Sequence, residues 1–260
     1  MPSKTTAVST LAIIPARFAS TRFPGKPLHR IVGKPLVQHV WERCRECSRL
    51  DRIVIATDDE RIAAACRTFG ADVQMTSPHH PSGTDRIAEV AARFPDADIL
   101  INVQGDEPLI SPALIDQLAE TLARDQSLDM ITAAAPIHDP RLVDDPNVVK
   151  VVLNTAGRAL YFSRSPIPFP RQADARIRWF WHKGIYGYRR EFLLRFVGWP
   201  PSMLEMTESL EQLRALENGA SIQVVVTSEE SPGVDTPEQA AEVERLILTG
   251  KIPPSSASPR

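Results

Sequence analysis

No apolar run in this chain approaches the roughly 18 residues that a membrane span needs. The opening MPSKTTAVST lacks the apolar core that follows the basic end of a signal peptide. A soluble, cytoplasmic protein is therefore expected. Charge of one sign is also missing: 30 basic residues stand against 32 acidic ones, a net charge of -2. There is then no bulk electrostatic reason to bind nucleic acid or an anionic membrane, and any anionic ligand needs a local cluster of cations. Cysteine is scarce, with three in 260 residues. Cys44 and Cys47 have C-x-x-C spacing, but they lie in LVQHVWERCRECSRL, an apolar pattern at helical spacing that no second ligand pair follows. All three are read as ordinary reduced thiols. Glycine-rich phosphate signatures are missing too. There is no G-x-G-x-x-G, and a Walker pattern around Gly25-Lys26 would need glycine at Ser20 and serine or threonine at Pro27.

What is present is a chain 43% hydrophobic, long enough to bury a full core as one large domain or two small ones. Over the first half, strand-like runs alternate with helical segments. LAIIP precedes a helix from Pro35 to Cys47, RIVIAT one from Glu60 to Phe69, ADVQMT one from Thr84 to Phe94, and DILINVQ one from Pro112 to Arg124; DMITAAA closes the series. This predicts an α/β fold, an open and mostly parallel twisted sheet with helices on both faces. The punctuation agrees: Gly70 stands where a C-terminal glycine is expected, Ser82 to Asp85 has capping-box spacing, and Ser111-Pro112 puts an N-cap before a first-turn proline.

From about Asn147 the pattern changes. NVVKVVLN, RALYFSRSPIP and WFWHKGIYGYRREFL read as strands joined by turns, a smaller mixed subdomain over about 147–200 packed on the sheet edge, with Trp179, Phe180 and Trp181 available to an interface or a core. A helix from Met203 to Asn218 ended by Gly219, a strand SIQVVVTS and a helix from Thr236 to Leu248 complete a single domain over 11–248. The polar ends, 1–10 and 249–260, are expected to be disordered.

Ligands of open α/β sheets bind beyond the carboxyl ends of the strands. There the first loop, PARFASTRFPGKPL, carries Arg17, Arg22 and Lys26. Arginine offers forked hydrogen bonds to phosphate and lysine a compact charge, so this loop is a candidate polyphosphate site; a solvated cationic loop is the alternative. VQGDEP brings Asp106 to the same edge, either as a Mg2+ ligand or within a turn built on Gly105 and Pro108. Asp235, in SPGVDTPEQ, is either a helix cap or cap neighbour or a second metal carboxylate. Arg164, His182, Tyr186, Glu211 and Gln212 are candidates for a polar, acidic co-substrate. Each also has a structural reading as core, surface or helix residue.

In order and without a missing block, IPARFASTRFPGKPL, ATDDERIAAA, HHPSGTDRIAEV, NVQGDEPLI, NVVKVV, ALYFSRSPIP, HKGIYGYRREFL, ESLEQLRALENG and GVDTPEQ resemble the 3-deoxy-D-manno-octulosonate (KDO) cytidylyltransferases, or CMP-KDO synthetases. The resemblance implies the nucleotide-diphospho-sugar transferase fold, Mg2+ dependence, a homodimer, and transfer of CMP from CTP to KDO for lipopolysaccharide synthesis. Carried over by position, it implies that Arg17 and Lys26 hold the triphosphate with Ser20 nearby. Ser82 and Gln104 would lie along the nucleotide, whose base is read partly by backbone near Met75. Asp106 and Asp235 would bind metal, while Arg164, His182, Tyr186, Glu211 and Gln212 line the KDO pocket. The implied chemistry is in-line attack of the anomeric hydroxyl on the α-phosphorus with no side-chain nucleophile. The rival expectations are a cytidylyltransferase for another acidic sugar, such as an amino-KDO or a sialic acid, and a non-catalytic nucleotide sensor.

Overall fold

The apolar alternation of the first half becomes a strand-helix series in the computed structural model, which describes residues 8–19, 23–172, 177–229 and 231–250. β1 (Thr10–Ala16) leads through a 3-10 turn at Lys26–Leu28 and the short pair β2 (Arg30–Ile31) and β3 (Lys34–Pro35) into α1 (Leu36–Arg45). Then follow β4 (Arg52–Thr57), α2 (Glu60–Thr68), β5 (Asp72–Met75), α3 (Gly83–Arg93), β6 (Ile99–Asn102), α4 (Pro112–Arg124) and β7 (Met130–Pro136). The caps sit where the sequence places them: Ser82 Oγ accepts from the Asp85 NH at 3.1 Å, and Ser111 Oγ from the Leu114 NH at 3.3 Å. Gly70, at φ 82°, ends α2.

β8 (Lys150–Leu153), β9 (Ala159–Ser163), β10 (Phe180–Arg189), α5 (Arg190–Phe196), α6 (Met203–Glu208), α7 (Gln212–Glu217), β11 (Ile222–Val226) and α8 (Pro237–Leu248) make the second half. Three expectations change here. The segment over 147–200 is not packed on the sheet edge: β10 lies in the middle of the sheet, antiparallel to β6 on one side and β7 on the other, and β8 and β9 branch from it. The end of WFWHKGIYGYRREFL is helical, as α5. The single helix expected from Met203 to Asn218 is two, because the backbone turns left-handed at Ser209, φ 51°. Trp179, Phe180 and Trp181 are half-buried.

Among the described residues the main sheet runs β11-β7-β10-β6-β1-β4-β5. β1 is parallel to β4 and β6, and β4 to β5, so their carboxyl ends share one edge, with Ala16 beside Thr57 and Thr57 beside Met75. Helices cover both faces. One core gathers Phe162, Tyr188, Phe192 and Phe196; the other gathers Val37, Val40, Ile115 and Leu118. Gly187 lets β10 run beneath α4, since a Cβ there would lie 2.7 Å from Ile131 and 2.9 Å from Leu122. β1 begins inside the expected N-terminal extension, with the Thr10 NH on Asp51 Oδ2 at 2.7 Å. Residues 1–7 and 251–260 lie outside the described residues.

Candidate active site

Three loops meet at the shared edge. The first folds back on itself: the Gly25 NH donates to Phe18 O at 3.0 Å and the Lys26 NH to Phe23 O at 3.1 Å. Gly25 takes φ 69°, where a side chain is strained. The loop after β6 approaches so closely at Gly105 that a Cβ there would stand 2.6 Å from Pro15 O. Between the second and third loops, the Val234 NH donates to Asp106 O at 2.8 Å.

This zipping puts the Lys26 ammonium between two carboxylates, 2.7 Å from Asp106 Oδ2 and 3.0 Å from Asp235 Oδ1. Burial lowers the lysine pKa, but the charge and hydrogen bonds of Asp106 and Asp235 outweigh it and hold it above its ordinary value. Asp235 is not the helix cap. Thr236 caps α8 in a capping box with Gln239, whose Oε1 also accepts from the Asp235 NH at 2.7 Å, so the aspartate carboxylate faces Lys26 instead.

The cleft over this cluster has a volume of about 410 Å³ and is lined by Arg17, Lys26, Gly83, Gln104, Gly105, Asp106 and Asp235, among others. Arg17 is half-buried and has no hydrogen-bond or ion-pair partner among the described residues. Burial and then the neighbouring charge of Arg86 pull its pKa below the usual arginine value. Asp58, Asp85 and Glu211 offset this only in part, so a half-buried guanidinium with no direct hydrogen-bond partner among the described residues has donors to offer an anion. Gln104 donates to Gly184 O at 3.2 Å. Ser82 caps α3 beside Gly83, and its hydroxyl is 2.7 Å from Asp85 Oδ2. Met75 ends β5 at the same edge but lines neither this cleft nor the second cavity described next, and its carbonyl accepts from Arg93 at 2.8 Å. Ser20 and Arg22 lie outside the described residues.

A second cavity, of about 350 Å³, shares Asp106 and Asp235 with the first and is lined further by Glu107, Asn147, His182, Lys183 and Ser231. Glu107 did not stand out from the sequence, where VQGDEP draws the eye to Asp106. Burial, then the charge of Asp106, pushes its carboxyl up to about 7, against the pull of Lys183 and Ser231. Asn147 and Lys183 carried no motif of their own.

Of the five expected sugar residues, only His182 lines this second cavity. Its Nε2 is 3.1 Å from Thr132 Oγ1, whose own proton goes to Ile185 O at 2.7 Å, so His182 is the donor. Burial, helped by Lys183, pushes it down to about 3, which makes it neutral. Tyr186 packs against it with the rings tilted by 49° and their centres 5.4 Å apart, and burial followed by the charge of Glu211 holds its hydroxyl above the ordinary range. Glu211 accepts from the Thr84 hydroxyl; burial raises its pKa. Gln212 is buried, and its Nε2 has no hydrogen-bond partner among the described residues. Arg164 is spent on main-chain carbonyls, Glu208 O at 2.7 Å, Pro146 O at 2.9 Å and Ser209 O at 3.3 Å.

Among the described residues no group of three or more metal-ligating side chains occurs. Two carboxylates at one cleft, Asp106 and Asp235, fit the habit of Mg2+ of taking one or two protein carboxylates and its remaining ligands from phosphate oxygens and water.

A family model described as cytidylyltransferase matches residues 11–224. The chain is 54% identical over 246 residues to the 3-deoxy-manno-octulosonate cytidylyltransferase of Geotalea daltonii, covering 90% of this chain and 97% of that protein. It is 51% identical over 245 residues to the enzyme of the same name from Syntrophotalea carbinolica, with 91% and 98% covered. Its structure is similar to that of CMP:2-keto-3-deoxy-manno-octonic acid synthetase complexed with CTP, at TM-score 0.90 and 44% identity over 93% of this chain and 99% of that one.

Proposed function

The chain belongs to the cytidylyltransferase family, and from that premise we propose that it transfers CMP from CTP to the anomeric hydroxyl of KDO, releasing pyrophosphate. The observation that carries the reading is the convergence of Lys26, Asp106 and Asp235 beside the unpartnered Arg17, in a chain more than half identical to proteins named for this reaction.

On this reading the first cavity takes the triphosphate. An ammonium has three donors, and Lys26 spends two on its carboxylates, leaving one for a phosphate oxygen. Arg17 supplies a forked contact beside it, and together they stabilise the pyrophosphate as it leaves. Asp106 and Asp235 would hold Mg2+, which would supply positive charge to offset that of the phosphates. The sugar occupies the second cavity, so its hydroxyl faces the nucleotide across the two shared carboxylates. The new phosphorus-oxygen bond forms as the bond to pyrophosphate breaks.

We propose a cytoplasmic homodimer. No helix among the described residues is long and apolar enough to cross a membrane. The exposed Leu160, Met203 and Met206 on β9 and α6 support self-association, which light scattering tests. The reaction is tested by pyrophosphate release from CTP with KDO and Mg2+, omitting each in turn. Release that needs all three is expected; release with a sialic acid but not KDO, or tight CTP binding with no release, would overturn it.

A further inference from the structure

Lys150, in the NVVKVV stretch of β8, has no exposed surface. Its ammonium donates to two main-chain carbonyls, Asp145 O at 3.0 Å and Arg164 O at 2.5 Å, and it has no carboxylate ion-pair partner among the described residues. Burial pulls its pKa below the usual lysine value, and the charges of Asp145, Asp144 and Glu208 offset this only in part. A buried ammonium hydrogen-bonded only to main-chain carbonyls is an unusual use of a lysine, and it ties those two carbonyls together.

What the ammonium holds is specific. Asp145 opens a tight turn: its Oδ1 accepts from the Asn147 NH at 2.8 Å and from Asn147 Nδ2 at 3.1 Å, and its carbonyl accepts from the Val148 NH at 3.1 Å. Arg164 grips the same turn from the end of β9 through Pro146 O at 2.9 Å, and the carbonyl of Arg164 is the second acceptor of Lys150. Lys150 and Arg164 thus clamp one turn from two sides. Asn147, with its amide oriented by Asp145, is the part of that turn that lines the second cavity.

We infer that Lys150 is a positioning residue for the acceptor sugar: by pinning the turn from Asp145 to Asn147 onto the end of β9, it fixes the Asn147 wall of the second cavity. The inference rests on the cytidylyltransferase reading and on the sugar lying in that cavity. Lys150 touches neither substrate; it acts through Asn147.

The test is steady-state pyrophosphate release by the full chain, with KDO and CTP varied separately, for wild type, Lys150→Met, Asn147→Ala and the double variant. Lys150→Met is expected to raise KM for KDO about tenfold or more, with kcat and KM for CTP within about threefold and the thermal midpoint lowered by only a few degrees as Arg164 O loses its donor. Because both residues act through one wall, the double variant is expected to lose no more than the worse single one. An unchanged KM for KDO in stable Lys150→Met, or losses that multiply in the double variant, would overturn the inference. If Lys150→Met does not fold, Lys150→Gln is judged by the same shift in KM. An inactive wild type overturns the cytidylyltransferase reading and this inference together; an active wild type with insensitive variants overturns this inference alone.

Discussion

The Val234 NH donates to the carbonyl of Asp106 at 2.8 Å, and this one main-chain bond joins two loops that the sequence separates widely. It sets Asp235, the next residue, beside Asp106, so both carboxylates reach the ammonium of Lys26. Asp106→Asn and Asp235→Asn leave that main-chain bond intact and remove one charge each. Each is expected to reduce kcat by about 100-fold or more, because the proposed metal site would lose half its protein charge. The thermal midpoint should move little, since both side chains are partly exposed, at 33% and 45%. Pyrophosphate release and differential scanning fluorimetry on the same samples check this; a folded Asp106→Asn enzyme with near-normal turnover would remove Asp106 from the site.

Arg17 should behave in the opposite way towards stability. It has no ion-pair partner among the described residues, and desolvation followed by Arg86 already disfavours its charge. Arg17→Met is therefore expected to keep or raise the thermal midpoint while raising KM for CTP about tenfold or more, with KM for KDO little changed. Equal rises in both KM values would place Arg17 outside the triphosphate site.

Much of this was legible in the sequence, and the limits have physical causes. The first half obeys local rules: apolar alternation, serine caps and a terminal glycine specify β1 to β7 with little help from tertiary contacts. The cationic loop was readable because Arg17 and Lys26 have no apolar reason to stand at a strand end. β10 was not readable as a central strand. Its two glycines and the register shift between Lys183 and Tyr186 blur the alternation, and its antiparallel place is decided by partners 50 or more residues away in sequence, such as Thr132. The same long-range packing commits Arg164 to carbonyls and leaves Asn147, which no motif announces, on the cavity wall.

His182 gives the protein a pH dependence with a definite sign. Its folded value, near 3, lies below its ordinary 6.5, so between these the unfolded chain binds the extra proton. The stability it contributes is fully present above pH 6.5 and falls as pH drops towards 3. Denaturant titrations at pH 7 and pH 4 should differ less in His182→Asn than in wild type, by on the order of 2–3 kcal/mol. An equal difference in the two proteins would mean that the imidazole is solvated.

Gly105 precedes Asp106 and Gly233 lies two residues before Asp235, and adding a single methyl separates their roles. At Gly105 the new Cβ would sit 2.6 Å from Pro15 O, a main-chain atom of β1 that has no free rotation to escape it. The loop bearing Asp106 must then move away from β1, and Asp106 moves with it. At Gly233 the nearest contact is Asp106 O at 3.9 Å, an ordinary van der Waals distance. Gly105→Ala is expected to cost about 1–3 kcal/mol of stability and at least tenfold in kcat. Gly233→Ala is expected to change stability by less than about 0.5 kcal/mol and turnover by less than twofold. Urea unfolding and pyrophosphate release measure both. Equal tolerance at the two positions would show that the approach of the second loop to β1 is not what places Asp106.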